Sequence, residues 1–169
     1  LRKKEISAYF SFIMFDPFST LDEVANNVEQ LSHVQEFTDY RRLYSVVKPD
    51  FGTLIARNFE REGVLEDDGN FAYKIKIVNP ETKFLWEVIQ SHQARHSVVD
   101  IKLSKVKDER VDVALYETRN NIPLDSLHVR GYEQLITGAE KQFFNGWADI
   151  IRYGIGLART YKKFEEVPE

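Results

Sequence analysis

Two short stretches of this sequence set chemistry-capable groups at regular spacing. His92-Gln-Ala-Arg-His96 is the one close histidine pair. On a helix, an i, i+4 spacing puts both imidazoles on one face, the geometry that metal sites use. Here the stretch joins two predicted strands and no acid lies between the histidines, so the expectation is a loop with exposed or hydrogen-bonded imidazoles and no metal. The second stretch is Gly154-Ile-Gly156-Leu-Ala-Arg159. Glycine loops that hold phosphate stand ahead of a helix, whereas these glycines fall inside a helical stripe, where each costs on the order of 1 kcal/mol relative to Ala. Their missing side chains either leave space for a ligand beneath the helix or allow close packing against an aromatic such as Trp86.

The stripe itself is Phe143, Trp147, Ile150, Gly154, Leu157 and Tyr161, with Glu140, Lys141, Asp149, Arg152 and Lys162 off it. With Trp86 these six are the candidate ligand-binding residues, and Trp147 and Tyr161 each carry a polar atom able to orient a bound molecule. An enzyme would need at least one titratable group in the interior, with Tyr161, His92 or His96 the nearest candidates. There is no Gly-x-Ser-x-Gly, no P-loop and no pair of acids at useful spacing; Asp67-Asp68 reads as a turn and Glu165-Glu166 as a tail. No catalytic residue, cofactor or metal is assigned.

Composition narrows the class further. At 169 residues the chain suits one domain spanning its whole length. Hydrophobic residues make up 43% and charged residues 30%, as in ordinary folded proteins. A net charge of -4 argues against a nucleic-acid-coating role. Twelve Phe and eight Tyr can fill a core or line an apolar pocket. The absence of Cys excludes disulfides and thiolate sites and fits a cytoplasmic location. No apolar run approaches the roughly 18–20 residues of a membrane span. The start at Leu1 shows no signal-peptide pattern, and a leader removed ahead of it stays open.

The elements that would position these residues follow from periodicity. Ile6 to Met14 reads as a strand, broken at Asp16-Pro17. Ser19 or Thr20 then caps a helix whose Leu21, Val24, Ala25, Val28 and Leu31 recur at helical spacing. Glu36 to Val47 reads as a second helix or an extended stretch. From Lys48 the period becomes two: Thr53–Glu60, Gly63–Glu66, Tyr73–Ile77, Phe84–Gln90, Val99–Ser104 and Val111–Leu115 read as strands of an antiparallel meander. An irregular crossing over Thr118–Thr137 leads to a helix from Ala139 to Phe164, roughly 40 Å long. Laid across the dry face of the sheet, that helix completes an α+β fold.

This order resembles the START-like, or SRPBCC, helix-grip superfamily, nearest to the branch related to activators of the ninety-kilodalton heat-shock chaperone's ATPase. The resemblance rests on Tyr73 to Trp86, on Ser97 to Leu115 and on Asn145-Gly146-Trp147. It implies a curved antiparallel sheet of about seven strands around a long C-terminal helix. It also implies a cavity between the two that receives a hydrophobic or lipid-like small molecule. The expected function is therefore a non-enzymatic binding module. The alternatives are a cyclase, dehydratase or hydrolase acting in the same cavity, and a chaperone-assisting domain whose partner is a protein. A filled interior with an exposed apolar patch is the mark of the last.

Overall fold

Thr20 starts the first helix. Its hydroxyl accepts the Glu23 amide at 3.3 Å while the Glu23 carboxylate accepts the Thr20 amide at 2.8 Å, a reciprocal capping box. The helix that follows, α1 (Leu21–His33), turns Leu21, Val24, Val28 and Leu31 inward, as the spacing predicts. The computed structural model describes residues 12–34, 39–67, 73–120 and 127–161. After α1 come a 3₁₀ turn (Tyr40–Tyr44), helix α2 (Leu54–Arg61), strands β1 (Leu65–Asp67) and β2 (Tyr73–Ile75), and helices α3 (Pro80–Arg119) and α4 (Leu127–Thr160).

The helix-grip expectation is overturned. Among the described residues the sheet has two strands, paired antiparallel with Leu65 opposite Ile75 and Asp67 opposite Tyr73. Of the predicted strands only Gly63–Glu66 and Tyr73–Ile77 overlap it. Thr53–Glu60 lies in α2, while Phe84–Gln90, Val99–Ser104 and Val111–Leu115 all lie in α3. The predicted crossing at Thr118–Thr137 is helical from Leu127 onward. The expected strand at Ile6–Met14 falls mostly outside the described residues; its end, with Phe15, lies beside Ser45 and Val46, where Phe15 forms a single parallel bridge to Val46. Of the stretch Glu36–Val47, expected as a helix or extended, Tyr40–Tyr44 form the 3₁₀ turn and residues 36–38 lie outside the described residues.

Local chemistry explains the helices. Asn79-Pro80-Glu81-Thr82, which reads as a turn, is a helix start: the Asn79 side-chain oxygen accepts the Thr82 amide at 3.0 Å, proline occupies the first helical position, and Glu81 complements the dipole. From Glu81 to Arg119 there is neither Gly nor Pro, so nothing stops α3, which continues for 40 residues, about 60 Å. α2 is bracketed in the same way. The Thr53 hydroxyl accepts the Ala56 amide at 3.3 Å. At the other end Gly63, at φ +70°, lets its own amide reach the Glu60 carbonyl and the Val64 amide reach the Phe59 carbonyl, a Schellman closure. Thr20→Ala and Asn79→Ala should each lower stability by about 1 kcal/mol in urea unfolding, because each leaves a helix-start amide without its side-chain acceptor.

α4 is the centre of the packing. α1, the 3₁₀ turn and α3 all pack against it. Trp147 lies beside His92 and Gly154 beside Leu85, so α3 and α4 run antiparallel. The core combines Val24 and Val28 of α1, Leu43 of the 3₁₀ turn, Phe84, Leu85 and Ile89 of α3, and Ile151 of α4. With neighbours on more than one side, α4 buries a wide sector rather than one stripe. Trp147 and Gly154 of the predicted stripe are buried, but Phe143, Ile150, Leu157 and Tyr161 are half-buried, and Phe144, Ala148, Ile151, Ile155 and Ala158 take the deepest positions. The prediction assumed a single partner surface; the added neighbour α1 shifts the seam by about one residue.

Candidate interaction surface

Several of the residues expected to enclose a ligand pack against side chains of other elements. A side chain on Gly154 would place its Cβ 2.6 Å from Leu85 Cδ1, so the space beneath this glycine is taken by α3. The Trp147 ring lies 4.7 Å from that of Tyr44 and meets His92 edge-on at 4.9 Å. Phe143 packs on Tyr40 at 5.6 Å. Of the two readings of the glycine pair, close packing fits Gly154, with aliphatic Leu85 and Val88 in place of the expected sheet aromatic. Gly156 faces open space.

His92 and His96 lie within α3 rather than in a loop, which corrects the expectation for that stretch. His92 is half-buried against Trp147. Among the described residues no cluster of three metal-ligating side chains occurs. Tyr161 follows Trp147, and hence His92, by about 21 Å along the α4 axis. Tyr161 and His92 therefore do not share one site.

Trp86 stands apart from the rest. Half-buried and 5.1 Å from Phe15, it lines an open groove of about 580 Å³ between the β1–β2 hairpin and the first turns of α3. Val64, Ile77 and Val78 supply the apolar part of the groove. Its charged rim is internally matched: Lys76 meets Glu66 at 3.4 Å and Lys83 meets Glu87 at 4.0 Å.

Beside this groove α2 presents an inverted helix. Ala56 is its one buried residue, whereas Leu54 is 73% exposed and Ile55 42%. Phe51, 51% exposed, lies 4.2 Å from the Tyr73 ring, and Phe18, 50% exposed, meets Phe59 edge-on at 6.0 Å. The Val78 amide donates to the Pro17 carbonyl at 2.8 Å, which brings exposed Val78 of the groove next to Phe18. Groove and apolar patch thus adjoin. Sequence reasoning missed this surface because Thr53–Glu60 was read as a strand. The signal was present in Thr53, a helix cap, and Gly63, a helix stop.

On the opposite side of α1, two ion pairs tie it to α4. Arg152 Nε donates to Glu29 at 2.8 Å, with further bonds to Asp149 at 3.0 Å and the Ser32 hydroxyl at 3.1 Å, and Arg159 meets Asp22 at 2.8 Å. The hydrogen bond from Arg152 holds the Glu29 carboxyl below the ordinary glutamate range and, reciprocally, raises the Arg152 guanidinium. A lowered carboxyl pKa stabilises the fold above the unfolded-state pKa, and the contribution disappears as pH falls through the lower, folded-state value. Arg152→Ala should return Glu29 to the ordinary range in a carboxyl-carbon NMR titration and weaken the loss of stability on acidification. An unchanged Glu29 titration would show that the pair does not persist in solution.

No described helix is long and apolar enough to cross a membrane. No family model matches the chain, and no curated protein or solved structure is significantly similar to it.

Proposed function

We propose that this chain is a protein-interaction module that seats an apolar segment of a partner protein on α2 and the adjoining groove. The observation that carries the reading is the exposure of Leu54, Ile55, Phe51 and Phe18 on one small region, while the space beneath Gly154 is taken by Leu85. Aliphatic and aromatic side chains held on a short helix by a cap and a Schellman closure form a rigid apolar anchor, and anchors of that kind dominate protein interfaces. An eight-residue helix that buries Ala56 alone contributes little to the core, so its apolar face is accounted for by a partner.

Leu54→Asp and Phe51→Ser test this. Both positions are exposed, so melting temperature should stay within a degree or two of the parent, as surface changes usually do. A partner retained by the parent protein should be lost by both variants, with affinity reduced at least about tenfold. Equal retention by parent and variants would remove the reading.

A hydrophobic small molecule in the groove is the second reading, favoured by its volume of about 580 Å³ and by Trp86. Native mass spectrometry of the purified protein, with Trp86→Phe as the control, distinguishes the two. A co-purifying apolar molecule lost in Trp86→Phe but kept in Leu54→Asp supports the groove, and the opposite pattern supports the α2 surface.

A further inference from the structure

We draw no further inference here: the strongest candidate, the outer edges of the β1–β2 hairpin beside the Trp86 groove, where the pairing of Leu65 with Ile75 turns alternate backbone groups away from the partner strand, carries nothing, because nothing in the structure shows what covers them.

Discussion

Trp147→Ala is expected to lower the free energy of unfolding by about 3–5 kcal/mol, the usual cost of deleting a large buried aromatic. Trp147 is 4% exposed and joins three elements at one point: its own helix α4, Tyr44 of the 3₁₀ turn at 4.7 Å and His92 of α3 at 4.9 Å. Truncation removes both ring contacts and leaves a cavity that neighbours on separate helices cannot close together. Urea unfolding followed by circular dichroism measures the loss. Trp86→Ala is the comparison. That ring is half-buried beside Phe15 and borders an open groove, so solvent fills the space it vacates and the loss is smaller. Were both tryptophans lining a ligand cavity, as the sequence alone suggests, the two substitutions would affect ligand retention more than stability. A loss below about 1 kcal/mol for Trp147→Ala would show that α4 is not packed as described.

The glycines of α4 should respond in opposite directions. At Gly138, Gly146 and Gly156 a side chain would meet no atom within 4 Å, so alanine adds helix propensity with no steric cost. Each is expected to contribute about 1 kcal/mol. The triple variant Gly138→Ala/Gly146→Ala/Gly156→Ala should be more stable by about 2–3 kcal/mol, because the sites are far enough apart to add. Gly154→Val should instead destabilise by about 1–3 kcal/mol, since its Cβ would stand 2.6 Å from a Leu85 side chain that is fully buried. Thermal and urea unfolding of the two variants, measured side by side, test whether α4 is one continuous helix against α3. Stabilisation by Gly154→Val, or no gain from the triple alanine variant, would contradict it.

Which parts of this fold can be read in the sequence depends on where local chemistry is decisive. α1 is legible in full, because a Thr20–Glu23 capping box and an uninterrupted helical stripe agree. The β1–β2 hairpin is legible from the alternation of Tyr73, Lys74 and Ile75. α3 was lost to its composition. Val98, Val99, Ile101, Val111 and Val113 favour strands by propensity, and alternation at Phe84, Trp86 and Val88 imitates a sheet face. The same stretch also holds Phe84, Leu85, Val88, Ile89 and His92 at helical spacing, and neither Gly nor Pro follows Pro80 before Arg119. Lys107-Asp108-Glu109 offers Asp108 but no Gly or Asn beside it, as a tight hairpin turn would need. The missing Gly and Pro outweigh β-propensity, because the three strands predicted within α3 would need tight turns between them. At the candidate surface only Trp86 was anticipated. The exposed Leu54 and Ile55 become meaningful once α2 is recognised as a helix with its apolar side outward.

The ion pairs Asp22–Arg159 and Glu29–Arg152 join positions 137 and 123 residues apart, and between them lie Val24 and Val28, both at 0% exposure. During synthesis α1 therefore leaves the ribosome long before the helix that shields it. At about 5–20 residues per second, its apolar stripe waits about 6–27 seconds for α4. α1, made before the other described helices, is among the last of them to be covered, and until then its valines are open to holding chaperones.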